Sequence, residues 1–302
     1  MMVKELGRTG VFIPEVGIGT SNYQAGPTVL RKGLDAGALF IDTAESYGTE
    51  DIVGEAVKGL RSRVFIATKV SPQNFRAADL RRSVDASLRR LGIDTIDLLQ
   101  LHYPNPSIPV EEPMGALAGL IDAGKVRYAG VSNFSVVQLQ EAQAALGRHA
   151  IVSNQVRYNL IDRTIEKDLL PHCQANGVTV IAYTPLARGL GRIGDCDPHG
   201  ILDRLARETG KPPAQIVLNW CLCKDRVVVI PMSNSADHLL ENCAASDWRL
   251  SAEHQVLLNT NIQYRHRSRF DALVRRHMPP RLQSLALRTA KWLPRGLRRR
   301  FT

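Results

Sequence analysis

Short apolar runs alternate with helix-like stretches eight times along this chain, and no other feature of the sequence constrains its fold as tightly. Residues 3–6 and 11–13, joined by Gly7-Arg8-Thr9-Gly10, first read as a small hairpin. Strand-like runs follow at 14–19, 39–41, 64–69, 96–102, 126–131, 151–155, 178–183 and 227–230. Helical spacing appears between and after them, at 27–36, 49–60, 77–91, 110–123, 136–146, 164–175, 200–209 with 213–222, and 236–245. Runs such as Leu39-Phe40-Ile41 are apolar without alternation, as strands covered on both faces are. Eight such alternations in roughly 230 residues predict an α/β chain folded as a closed (β/α)8 TIM barrel. The competing solution is an open doubly wound sheet, whose dinucleotide-binding form needs G-x-G-x-x-G after an early strand; none stands there.

Charge divides the chain into two parts. Twelve of the 39 Lys and Arg residues, but one of the 29 acids, lie from Arg265 onward, leaving 27 against 28 in the preceding body. The net charge of +10 thus belongs to the tail, and the expected organisation is a neutral barrel over 1–264 with a basic extension over 265–302. Within 281–300, Arg281, Ser284, Arg288 and Lys291 share one arc of a helical wheel, and Leu282, Leu285, Thr289, Trp292 and Leu293 the other. Two settings suit that pattern: a helix docked on the barrel with its Arg residues solvated, or a peripheral contact with an anionic membrane or an acidic protein. A body without a basic face argues against nucleic acid. The chain lacks an apolar run of about 18 residues, and its N-terminus lacks the apolar core of a signal peptide. Five cysteines, none at C-x-x-C spacing, read as reduced thiols, so a cytoplasmic location is expected, with membrane association at most peripheral.

A closed barrel gathers the residues at its strand carboxyl ends around one mouth. Asp42, Lys69 and His102 stand at three consecutive strand ends, and Tyr47 in the loop after the first of them. Their chemistry is complementary. A phenol titrates near 10, a neighbouring ammonium lowers that value, a carboxylate offsets the cost of burying the ammonium, and an imidazole can donate to a carbonyl oxygen. Such a group suits protonation of a nascent alkoxide, which calls for a hydride donor. Asp195, Cys196, Asp197 and His199 lack recognised ligand spacing, so no metal is expected.

The same residues carry a family resemblance. Ile41-Asp42-Thr43-Ala44-Glu45-Ser46-Tyr47-Gly48, Ala67-Thr68-Lys69 and Leu101-His102-Tyr103-Pro104 resemble the catalytic motifs of the aldo-keto reductases, over about residues 3–260. The resemblance implies an NAD(P)H-dependent reductase of small aldehydes or ketones, with Tyr47 as general acid. It also implies that Ser132, Asn133 and Gln155 hold the nicotinamide carboxamide. Tyr183, in the segment that includes Thr184 and Leu186, would stack on the ring, and Ser233, Ser235, Glu241 and Asn242 would bind adenosine. Many members carry Lys and Arg where this chain has Met232 and His238, so NADPH is favoured while NADH or dual use stays open. Tyr23 and Tyr103, the latter where Trp is frequent, are expected to wall the substrate pocket. The other functional class is a nucleotide-sensing binding protein docked by its basic tail, which would have no need of the four catalytic residues.

Overall fold

The computed structural model describes residues 1–264; the basic extension and its amphipathic pattern lie outside the described residues. Strands β1 (Val3–Glu5) and β2 (Phe12–Pro14) pair antiparallel as the expected hairpin. Then come β3 (Ile18–Gly19), β4 (Phe40–Asp42), β5 (Phe65–Val70), β6 (Ile96–Leu101), β7 (Val126–Ser132), β8 (Ile151–Arg157), β9 (Thr179–Tyr183) and β10 (Val227–Val229). Each of these eight is parallel to its sequence neighbour. The ends of the order are joined by Gly17 N donating to Val229 O at 2.8 Å and Val229 N donating to Glu15 O at 2.9 Å. The sheet thus closes into the expected (β/α)8 barrel. Gly19 permits that seam, since a Cβ there would sit 2.7 Å from Ile230 O.

Outside the barrel lie α1 (Pro27–Asp35), α2 (Glu50–Ala56), α3 (Ala77–Leu91), α4 (Glu111–Asp122), α5 (Val136–Leu146), α6 (Leu169–Asn176), α7 (Leu190–Gly194), α8 (Ile201–Thr209), α9 (Pro213–Leu222), α10 (Ala236–Cys243) and α11 (Ala252–Asn261). Helices with local stop and start chemistry fall where the spacing predicts. Gly92, at φ +64°, closes α3, and a reciprocal Ser135–Gln138 capping box opens α5. The stretch 164–175 instead splits into a short turn, Thr164–Lys167, and α6, because the Asp168 carboxylate accepts from Leu169 N at 2.6 Å and caps a new helix. The loop 188–199 holds the unexpected single turn α7, whose glycines hid it. Helix α11 buries only Leu258 and so leaves no periodicity to read.

Two apolar cores result. The larger lies between strands and helices; the smaller fills the barrel, where Phe40, Ala67, Leu98, Val152, Ile181 and Val228 meet Leu6 and Ile13 of the hairpin. Each of those two hairpin side chains is at most 1% exposed, a burial that contributes about 1.5–3 kcal/mol apiece. Polar contacts fix the plug: Gly7 N donates to Thr179 Oγ1 at 2.8 Å and Arg226 Nη1 donates to Gly7 O at 2.7 Å. With the strand N-termini sealed this way, the opposite end, ringed by strand C-termini, is left to the loops.

Candidate active site

At that open end the parallel register brings the first three expected residues side by side. Asp42 closes β4, Lys69 lies opposite Gln100 on the next strand pair, and the chain leaves β6 at His102, whose N–H still donates to Val70 O. Lys69 is fully buried and donates to Asp42 Oδ1 at 2.5 Å and Thr43 O at 2.7 Å. Half-buried Tyr47 comes from the turn Glu45–Tyr47. The Glu45 carboxylate anchors that turn by accepting from Ser71 N, Asn74 Nδ2 and Ser83 Oγ at 2.6, 3.0 and 2.6 Å. The Tyr47 hydroxyl then sits 3.4 Å from His102 Nε2, and its ring centroid 4.9 Å from Lys69 Nζ.

Electrostatics assigns the protons. Burial pulls the Lys69 ammonium down, but Asp42 and Tyr47 together outweigh it and hold the group above its ordinary value. Burial, aided by the Lys69 charge, lowers His102 to about 3, so its imidazole is neutral near pH 7. For Tyr47 the expectation from sequence is corrected. Burial raises the phenol above 10, and the nearby ammonium offsets only part of that rise. The site therefore holds its proton on oxygen until a stronger base forms beside it.

The second Asp42 oxygen accepts from Gln100 Nε2 at 3.1 Å and Gln155 Nε2 at 2.7 Å. Gln100 is invisible to sequence reasoning as one of two polar residues, with Asp97, in the run 96–101. The signal that could have found it is Gly130, where a Cβ would meet Gln100 Cγ at 3.0 Å and Ser153 Oγ at 2.6 Å. Ser132 Oγ donates to Gln155 O at 2.9 Å. Asn133, at φ +64° in the left-handed region that Asn tolerates, links neighbouring strands. Its Nδ2 donates to His102 O at 3.3 Å, and its Oδ1 accepts from the Tyr183 hydroxyl at 2.9 Å. Thr184 follows at φ +48°, its Oγ1 buried with no hydrogen-bond partner among the described residues. Leu186 packs half-buried on the outer core.

The residues expected at adenosine form a separate group after β10. Ser233 Oγ donates to Ser235 O at 3.0 Å, and Ser235 caps α10 by accepting from His238 N at 3.5 Å. Asn242 is buried and Glu241 half-buried on α10, while Met232 and His238 are exposed. Asn234, not singled out from sequence, binds this loop to the one after β3 by accepting from Gln24 N at 2.8 Å and Ala25 N at 3.2 Å. Tyr103 lies against the cluster of Asp42, Tyr47, Lys69 and His102, its ring stacked on His102 at 5.0 Å. Tyr23 is only 5% exposed and gives its hydroxyl to Gly26 O at 2.9 Å, so it supports the rim from within the core. A G-x-G-x-x-G spacing does occur late, at 189–194, and forms the turn of α7 beyond β9.

The Aldo/keto reductase family model matches residues 15–258. The chain belongs to the aldo-keto reductase family. Methylglyoxal reductase YeaE of Escherichia coli (strain K12) is 36% identical over 260 residues, covering 82% of this chain and 91% of that one. An aldo/keto reductase from Klebsiella pneumoniae, solved with NADP and acetate, superposes with a TM-score of 0.79 at 37% identity, over 88% of this chain and 98% of the other. Another from the same organism, solved with NADPH, gives 0.78 at 36% identity, over 88% and 100%. This aldo-keto reductase is accordingly an NAD(P)H-dependent oxidoreductase.

Proposed function

We propose that this aldo-keto reductase reduces small aldehydes and ketones to alcohols at the Asp42, Tyr47, Lys69 and His102 cluster, with methylglyoxal, the compound named for its Escherichia coli relative, as the first substrate to try. The observation that carries the reading is the single contact chain from Asp42 through buried Lys69 to the Tyr47 ring and the neutral His102. NADPH, when bound, supplies the hydride to the carbonyl carbon. The Tyr47 hydroxyl gives its proton to the carbonyl oxygen, an alkoxide being a stronger base than a phenolate. Lys69 stabilises the phenolate left behind, and Asp42 keeps that ammonium in place. His102 donates to the carbonyl oxygen and orients it.

The residues present fit the dinucleotide. Ser132, Asn133 and Gln155 offer a hydroxyl and two amides for the carboxamide at adjoining strand ends. Tyr183 offers a ring face, and Thr184 Oγ1, without a partner among the described residues, a buried polar atom in need of one. Ser233, Ser235, Glu241 and Asn242 would hold adenosine. Met232 and His238 supply no fixed cation for a 2′-phosphate, so the preference for NADPH over NADH in kcat/KM is expected to stay below about a hundredfold, or ~2.7 kcal/mol.

The test is loss of reduced-nicotinamide absorbance with methylglyoxal and a panel of small aldehydes. Tight nucleotide binding without turnover of any of them overturns the reading in favour of a nucleotide-sensing protein. All five cysteines are free thiols, which supports a cytoplasmic location. Among the described residues no helix is long and apolar enough to cross a membrane. From its sequence pattern, 281–300 is proposed to meet an anionic membrane or an acidic protein surface. Deleting residues 281–302 should abolish binding to anionic liposomes and spare aldehyde turnover, and equal binding by both proteins discards the membrane contact.

A further inference from the structure

Arg157 ends β8 two residues beyond Gln155, hence on the same inward face of the barrel and one step nearer the mouth. Its register partner is Tyr183, and its guanidinium carbon lies 5.9 Å from the centre of that ring. Tyr183 in turn donates to Asn133, and Asn133 to the carbonyl of His102. Arg157 is thus the far end of a continuous line of contacts that starts at the backbone carbonyl of His102.

What distinguishes Arg157 among the described arginines is a buried guanidinium nitrogen without an acceptor. Its Nε is buried with no hydrogen-bond partner, and the guanidinium makes neither an ion pair nor a side-chain hydrogen bond among the described residues. Four other arginines of the barrel are paired with carboxylates: Arg61 and Arg127 with Asp97, Arg90 with Glu50, Arg249 with Glu15. A desolvated donor on a permanently charged group is costly unless an acceptor arrives. A planar fork of donors selects a carboxylate or a phosphate.

We propose that Arg157 is an oxyanion-recognition residue at the mouth of this barrel, contacting an anionic group presented by the bound reactants. Two sources share that chemistry: a carboxylate on the carbonyl substrate, as in a 2-oxo acid or an aldehyde acid, and a phosphate of the dinucleotide. The inference deepens the reductase reading and rests on it. Turnover of uncharged methylglyoxal by the unmodified protein checks that reading separately.

The experiment compares the full-length protein with Arg157→Met and Arg157→Lys. Readouts are kcat/KM for 4-carboxybenzaldehyde and for benzaldehyde, Kd for NADPH by fluorescence, and Tm. If the oxyanion is the substrate's, Arg157→Met lowers the ratio of kcat/KM for the carboxylated over the neutral aldehyde at least tenfold through KM, and Lys restores part of it. If it is the nucleotide's, the ratio holds, while Kd for NADPH rises at least tenfold and rises less in Arg157→Lys. An unchanged ratio with unchanged Kd overturns the proposal, whether or not Tm falls, and leaves Arg157 as packing against Tyr183.

Discussion

Each end of this barrel holds a lysine, buried at the mouth and half-buried at the plugged end, and the contrast between them separates chemistry from scaffolding. At the mouth, Lys69 touches Asp42 at 2.5 Å, and that carboxylate's other oxygen is taken by two amides. At the plugged end, Lys4 gives its ammonium to three backbone carbonyls, those of Leu222, Lys224 and Val227, at 2.7–2.9 Å. Its nearest carboxylate, Glu15, is 4.0 Å away and already engaged by Arg249 and Ser246. Burial therefore dominates at Lys4, lowering it to about 8, whereas the paired Lys69 is raised. On the proposed mechanism the ammonium aimed at a carboxylate and a phenol serves proton transfer, while the one aimed at carbonyls ties a helix end and a strand to the hairpin.

The comparison can be broken by mutation. Its largest expected effect is Tyr47→Phe, which should lower kcat by about three orders of magnitude, or ~4 kcal/mol, with Kd for NADPH and Tm nearly unchanged. A fall of less than tenfold would remove Tyr47 from proton transfer. Next, Asp42→Asn leaves Lys69 buried without its counter-charge and should cost about 3–5 kcal/mol in denaturant unfolding, with activity lost as well. Glu15→Gln, at the other end, should cost about 2 kcal/mol and keep kcat/KM within threefold. Equal activity loss from both would erase the distinction between the two ends.

The smallest effect is sharpest in its sign. His102 titrates near 3 in the folded chain against an ordinary 6.5, so between those values the unfolded state binds a proton that the native state refuses. Stability should fall as pH drops from 6.5 toward 3, by at most about 1.4 kcal/mol per pH unit. His102→Gln should flatten that slope. In the unmodified enzyme kcat/KM should show no histidine limb near pH 6.5, and the appearance of one would contradict a neutral His102.

Strand and helix alternation was legible because strands covered on both faces must be apolar throughout, and helices between them must be amphipathic. Capping chemistry marks the end of α3 at Gly92 and the start of α5 at Ser135. The split at Asp168 and the turn α7 were not readable, since one depends on a side chain choosing a backbone N–H and the other is a single turn containing two glycines, which are poor helix formers. In the site, Asp42, Lys69 and His102 stood out as titratable groups at strand ends, and Tyr47 as one in the loop after the first of them. Gln100 and Arg157 did not, because a polar residue in a strand acquires meaning only from what faces it across the barrel.

By itself the sequence determined the order of strands and helices, the neutral body with its basic tail, and which side chains sit at strand ends. The tertiary structure alone decided the protonation of those side chains, raising Tyr47 instead of lowering it and holding His102 neutral. The physical reason is that residue type and spacing are local, whereas desolvation and charge pairing are set by neighbours some tens of residues away, brought within a few ångströms by closure of the sheet.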